Sequence, residues 1–427
     1  MPKKKPETHF PALKRIDINN YRELVGNETV DRILEKARIL NGKKLIHINS
    51  TYSGGGVAEL LTSLVLIMNG VGIKADWRLL FGSADFFSAT KKFHNALQGH
   101  PLHMTELKKD IYEQTIHENA IRMDLDADYV VVHDPQPLFL IQHYRKTCPW
   151  IWRCHLDLTQ PEPTIWNYLK TTINRYDATI FTQKPPVKLN IPSRYFQPAI
   201  DPFITKNMPL PEAQILERLQ HYKIPTDLPI VTQISRFDLW KDPLGVIQAY
   251  KKAREEVDCT LVLLGDMATD DPEGQEVYES LLHEQNERII ILAKQDTALV
   301  NALQSRAHVV LQKSIREGFG LTVTEAMWKG AVVIGGNVGG IPLQIQNEHN
   351  GFLVNSVDEA AARIVQVLKD GNLRTQMGQA ARESVKNNFL MTRLLEDWLD
   401  LALDFEVQFK LRSPDRGKGF HFFHREE

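Results

Sequence analysis

Three cysteines in 427 residues, Cys148, Cys154 and Cys259, are an odd number without metal-ligand spacing. They exclude a disulfide framework and fit a reducing cytoplasm, with packing as their use. Charge of one sign is also missing: 51 Lys and Arg against 53 Asp and Glu leave a net charge of -2, and nothing there favours a nucleic-acid partner. Long apolar runs are absent too. The longest, "ELLTSLVLIMNGVGI", is interrupted by Thr62, Ser63, Asn69 and Gly70. It falls short of the roughly 20 residues of a membrane span and is expected to be a buried helix, so no membrane partner is expected. The opening "MPKKKPETHF" is basic but has no apolar stretch behind it, and no export signal is expected. Neither a G-x-G-x-x-G run nor a P-loop Lys-Ser/Thr occurs, which argues against dinucleotide and ATP sites of those types. No His/Cys cluster or Asp-x-Asp pair stands out as a metal site, and there is no short-period repeat or low-complexity tract.

What the chain does contain is alternation. Short runs rich in Val and Ile, "KLIHINS", "IKADWRLL", "DYVVVHD" and "WIWRCHL", are separated by helix-length segments. Such runs predict a parallel sheet covered by helices on both faces. A proline-rich stretch follows, with a link near residues 198 to 211, and the pattern then restarts in "PIVTQIS", "CTLVLLGD", "ERIIILA", "AHVVLQ" and "AVVIGG". The expectation is an α/β chain of two doubly wound, Rossmann-like domains, 1–205 and 206–399, facing each other across a ligand-binding cleft. The tail from Leu373 is helical in pattern, with "EDWLDLALDFEVQF" apolar on one side and free to pack on either domain, and a C-terminal helix at about 400–427 is expected to pack back on the first domain.

Three stretches carry chemistry. In "INSTYSGGGVAELL" a strand runs into Gly54, Gly55 and Gly56, which open a helix. Its N–H groups suit an anion such as a diphosphate, although a ligand-free turn has the same sequence. In "QISRFDLWKDP", Arg236 and Lys241 lie just past a strand, where two cations suit a phosphate pair or simply a solvated loop. In "SIREGFGLTVTEAM", Glu317 stands in a loop and Glu325 about one turn into a helix that starts near Leu321. Carboxylates there suit sugar diols, and the N–H groups of "GFGL" suit a phosphate; a glutamate in that place also simply complements the helix dipole.

Taken together, the Glu-x7-Glu spacing around "GFGLTVT", the upstream "SRFDLWKD", the "GGG" turn and the downstream "GGNVGGIPLQI" resemble the retaining nucleotide-sugar glycosyltransferases of family 4, which have the GT-B fold. The resemblance runs from about residue 40 to 400. Longer strings, "HINSTYSGGGVAELL", "FFSATKKFHNALQG", "VVHDPQPL" and "WIWRCHLDL", are similar to the trehalose-forming branch, which joins glucose from a nucleotide-diphosphate glucose to free glucose, reversibly.

The resemblance implies that Arg236 and Lys241 hold the donor diphosphate and Glu325 the ribose. It gives Glu317 and the backbone of Gly318, Phe319, Gly320 and Leu321 to the transferred glucose and adjacent phosphate, with Gly55 and Gly56 approaching the donor. Asn95, Gln98, His133, Asp134, Gln136, Arg153 and His155 would face the acceptor sugar. Arg236, Lys241 and Glu317 are the expected catalytic group, with the leaving phosphate taking the acceptor's proton. No cofactor is expected on side chains, with Mg²⁺ accompanying the nucleotide, and a homodimer is implied. A retaining trehalose phosphorylase, or transfer to another small acceptor, keeps the same fold. A catalytically silent sugar-binding homologue would have no need of Arg236, Lys241, Glu317 and Glu325 together. Nucleobase contacts in this family lie near "LGDMATDDPEGQEVY", where the pattern is irregular, and the base is left open.

Overall fold

Apolar runs with no polar face must be covered on both sides, and this chain covers them with helices. The computed structural model describes residues 16–52, 55–265 and 272–412; the basic N-terminal run, Gly54, residues 266–271 of the irregular segment and the end of the chain lie outside the described residues. The first sheet contains β1 (Lys44–Asn49), β2 (Lys74–Leu79), β3 (Tyr129–His133), β4 (Trp150–Arg153), β5 (Ala178–Phe181) and β6 (Ser193–Tyr195). The second contains β7 (Ile230–Ile234), β8 (Thr260–Gly265), β9 (Ile289–Ala293), β10 (Val309–Gln312), β11 (Val332–Gly336) and β12 (Phe352–Val354). Their orders are β2-β1-β3-β4-β5-β6 and β12-β11-β10-β7-β8-β9, every pair parallel. Strand order therefore reverses between β1 and β3 and again between β7 and β10, the positions at which doubly wound sheets open a crevice.

Three strands were not foreseen from sequence: β5, β6 and β12. They are only three or four residues long. β6 also follows Pro192, whose carbonyl accepts from Thr179 N at 2.9 Å, and an edge strand is where such a proline is tolerated. The apolar run after the glycine turn is a helix, Gly56–Gly70, with eight buried residues.

The C-terminal helix differs from expectation. It begins at Met391 rather than near residue 400, so the second domain ends about there instead of at 399. Asn388 closes the preceding helix, and Leu390 then pairs with Ile200 in the first crossing between the domains. Ile200 N donates to Phe389 O at 2.8 Å and Met391 N to Ile200 O at 3.0 Å. The helix then returns to the first domain. Leu394, Leu395, Trp398, Leu399 and Phe405 join the core containing Ile18, Tyr21 and Ile33. Arg32 grips Glu396 with two hydrogen bonds of 2.6 and 2.9 Å, a fork matched to the carboxylate.

Lys206, in the first crossing, ties both domains together. Its Nζ lies 2.9 Å from Glu59 of the helix Gly56–Gly70 and 2.6 Å from Glu325 Oε1 of the second domain, whose side chain is fully buried. The second contact is an ion pair by proximity, since Oε1 receives no aligned hydrogen bond. Burial pushes Glu325 upward, but the Lys206 and Lys329 cations outweigh it and hold its pKa below the usual range. Burial likewise lowers Lys206, and Glu325 and Glu59 more than reverse that. Lys329 loses the same contest, burial bringing it down to about 8. Removing one member of a buried ion pair strands its partner's charge. Lys206→Met is expected to lower stability in guanidinium unfolding at pH 7 by about 3–5 kcal/mol, and adding Glu325→Gln should recover much of that loss. A single-variant loss below about 1 kcal/mol would contradict a charged buried pair.

Candidate active site

At the β7 and β10 ends the second domain gathers its expected donor residues. Lys241 closes a short 3-10 turn, Leu239–Lys241, in which Asp238 Oδ1 accepts from Trp240 N at 2.9 Å, and Gln233 Nε2 donates to Lys241 O at 2.7 Å. Lys241 Nζ meets Glu317 Oε2 at 2.5 Å. The same oxygen accepts from Gln312 Nε2 and Ser314 Oγ, each at 3.2 Å. Glu317 is 7 % exposed, so its carboxylate is placed by three donors rather than left to solvent. Arg236 pairs with Asp238 at 3.1 Å, and Lys313, a cation that sequence reasoning missed, pairs with Asp242. The only sequence cue to Lys313 was its place one residue beyond β10.

The helix Leu321–Trp328 starts from Gly320 at φ 82, with no side chain capping its first turn. Phe319 is buried, its ring centroid 5.8 Å from that of Phe389. It anchors the loop in the core, so any ligand contact from this position belongs to the backbone. Glu325 is the residue whose placement departs most from expectation. It is sealed under Lys206, Gln304 and Lys329, and a ribose would reach it only by displacing Lys206. Motif spacing carries no trace of Lys206, because that lysine comes from the other end of the fold.

In the first domain, β1, β3 and β4 deliver three histidines in a row. His47 Nδ1 lies 2.9 Å from His133 Nε2, and His133 Nδ1 lies 2.9 Å from His155 Nε2. Burial keeps all three rings neutral: His47 is pulled down to about 3, and His133 and His155 are held well below the usual range. His47 was not foreseen, because in the continuously buried run "KLIHINS" nothing separates it from a packing residue. Asp134, at φ 61, turns the chain after β3 and accepts from His155 N at 2.7 Å. Burial pushes its carboxyl up to about 7 against the pull of that N–H and of Arg153.

Arg153 does not face the acceptor side as expected. It is 2 % exposed, and its Nη2 donates to Phe196 O at 2.7 Å and to Thr182. Arg153 ends the continuously buried strand β4, its Nη1 is enclosed without a partner, and burial lowers its pKa to about 10. Gln136 is half-buried, with Oε1 enclosed and unpartnered. Asn95 and Gln98 sit at the end of the helix Ala84–Leu97, Asn95 O accepting from Gln98 N and His100 N at 3.1 and 3.0 Å.

The two halves touch where glycines permit. A Cβ at Gly318 would fall 2.1 Å from His155 O, and one at Gly56 would fall 3.1 Å from Leu321 Cδ1. Gly55, at φ 101, caps the helix behind that contact. Arg316 Nη2 reaches Gln160 Oε1 at 3.1 Å, and the Trp240 ring stands edge-on to His100 at 6.4 Å. The structure therefore brings Lys241, Glu317 and the Gly318–Leu321 backbone against His155 and the glycine turn. Glu325 is sealed off from that surface under Lys206, while Arg153 lies enclosed behind it, close enough to His133 and His155 to act on their charge. With paired cations on one wall and neutral imidazoles and a buried carboxyl on the other, the cleft can hold a phosphate-bearing group against a polyhydroxyl one.

Residues 47–187 match the family described as "Trehalose synthase, N-terminal domain", and residues 215–384 match "Glycosyl transferases group 1". A trehalose synthase of Thermococcus litoralis is 43% identical over 91% of this chain and 97% of its own length. One of Rubrobacter xylanophilus is 40% identical over 90% and 95%. Among solved structures, a sucrose-phosphate synthase of Thermosynechococcus elongatus superposes with a TM-score of 0.69 over 86% of this chain and all of its own, at 18% identity, which speaks to the fold alone. Two facing parallel sheets with reversal points at one cleft, and this identity along nearly the whole length of both proteins, establish that the chain belongs to the trehalose synthase family of GT-B hexosyltransferases.

Proposed function

We infer that the chain makes trehalose from a nucleotide-diphosphate glucose and free glucose, reversibly and with retention at the anomeric carbon. The observation that carries this reading is the Lys241–Glu317 pair, set between Arg236 and an uncapped helix N-terminus and facing His155 across the cleft. Departure of the nucleotide diphosphate builds charge on its outer phosphate. Arg236, Lys241 and the N–H groups at Gly320 and Leu321 are preorganised to receive it, an effect worth several kcal/mol per donor. Glu317, held by three donors, orients the glucose hydroxyls, and the departing phosphate takes the acceptor's proton on the same face.

Ribose binding by Glu325 is part of the reading and requires Lys206 to release it. Mg²⁺ enters as a companion of the nucleotide substrate rather than a resident of the protein. Likeness to trehalose synthases along nearly the full chain supports nucleotide-sugar transfer over phosphorolysis. The reading extends to a cytoplasmic homodimer, for which light scattering is the check. Among the described residues no helix is long and apolar enough to cross a membrane.

The central test is product analysis after incubation with glucose and a panel of nucleotide glucoses, beside a mixture of trehalose and inorganic phosphate. Trehalose from the first and no glucose 1-phosphate from the second is the expected result; the reverse would replace synthase with phosphorylase. Glu317→Gln should keep nucleotide binding in calorimetry while transfer falls about a hundredfold, and full turnover would remove its sugar-binding role. Arg236→Ala should raise the donor KM and slow transfer together by about 10²–10³ in kcat/KM, and unchanged kinetics would sink its assignment to the diphosphate.

A further inference from the structure

His47 is fully buried in β1, and it begins an unbroken line of rings that ends at His155, whose backbone oxygen lies against Gly318. Each neutral imidazole has one proton to donate and one bare nitrogen to accept with, so two ring-to-ring hydrogen bonds in series allow only two arrangements. Either every proton sits on Nδ1, or every proton sits on Nε2. The far end of the line decides between them.

His47 Nε2 is buried without a hydrogen-bond partner, and the neighbouring Trp398 ring, perpendicular at 5.4 Å, offers no acceptor oxygen or nitrogen. A buried N–H with no acceptor is penalised more than a buried lone pair with no donor. His47 accordingly leaves Nε2 bare, keeps its proton on Nδ1 and donates to His133, which donates through its own Nδ1 to His155 Nε2. His155 is left with its proton on Nδ1. Charge does not relieve the constraint, because Arg153 already stands close to the row and a protonated ring would be buried beside it. Asp134, the carboxyl in this group, spends Oδ1 on the His155 backbone N–H rather than on a ring.

We propose that His47 is a positioning residue for sugar transfer: its acceptor-less burial under Trp398 fixes His133 and, through it, His155 as Nδ1–H tautomers, so that His155 meets sugar in the cleft as a neutral hydrogen-bond donor. The proposal rests on the reading that His155 contacts a sugar. It goes beyond that reading in naming a residue that acts through two others and in stating which nitrogen carries the proton.

The experiment is a long-range ¹H–¹⁵N spectrum of the full chain labelled at histidine, with the His155 signals identified by their loss in His155→Gln. The expected signature is a protonated Nδ1 and a bare Nε2 on His155; a protonated Nε2 overturns the proposal. Two variants of one shape then separate tautomer control from packing. His47→Asn has an amide N–H to give His133, and should keep the His155 signature and a kcat within about threefold of the parent. His47→Asp can only accept once its carboxyl is ionised, and above that pH it should move the His155 proton to Nε2 and lower kcat about a hundredfold while the donor KM stays within about twofold. Equal losses in both variants, or a His155 tautomer unmoved in His47→Asp, overturn it. Should His47→Asp not fold, the spectrum of the parent chain and the rate of His47→Asn still decide. A His155→Ala protein transferring at full rate would remove the sugar contact beneath the proposal, and that failure is distinct from a wrong tautomer in the spectrum.

Discussion

The chain passes between its two sheets twice, at Ile200 and at Leu390, and the two passages are hydrogen-bonded to each other. Everything at the cleft depends on that pairing. Because both crossings run through one short bridge, the domains share a single joint, and the reversal point of one sheet is held opposite that of the other. Two crossings set far apart would lock the domains; two set side by side leave opening and closing as the soft motion. Lys206 sits a few residues along from this joint with a carboxylate from each domain, so the same place that permits movement also holds the charges that oppose it.

The second domain's wall, proposed above to bind the donor diphosphate, is ordered by its own ion pairs. Arg236, Lys241 and Lys313 each lean on a carboxylate: Asp238, Glu317 and Asp242. A donor diphosphate would exchange one set of anionic partners for another, so little side-chain order has to be created on binding. The carboxylates it releases are then free to meet hydroxyls. On the proposed reading Glu317 would change from a counter-ion into a sugar ligand without moving far, a physical reason for putting a carboxylate beside the proposed phosphate site.

Much of this was legible beforehand. β1 to β4 and β7 to β11 lie in runs apolar enough to be read directly, and the restart after the prolines gives two domains. β4 and β10 are as short as β5 but sit inside the conspicuous strings "WIWRCHL" and "AHVVLQ", whereas β5, β6 and β12 have no such apolar string around them. The return of the last helix at Met391 was hidden because the pairing that ends the preceding helix is made with residue 200. The same distinction runs through the site. Glu317 and Lys241 belong to loops whose composition announces an opening, whereas the inward turn of Arg153, the covering of Glu325 by Lys206 and the histidine row are tertiary facts. Spacing along the chain is silent about a partner that arrives from a separate strand or crossing.

The last helix also has a bearing on how the protein is made. Trp398, Leu399 and Phe405 fill the same core as Ile18, Tyr21 and Ile33, so the earlier of the two domains lacks part of its interior until the last helix has been made. The second domain, assembled from one continuous stretch, has no such debt. Vectorial synthesis would therefore finish the later domain before the earlier one, and the first sheet, its six strands already made but its last helix missing, would present an open apolar face until that helix is translated.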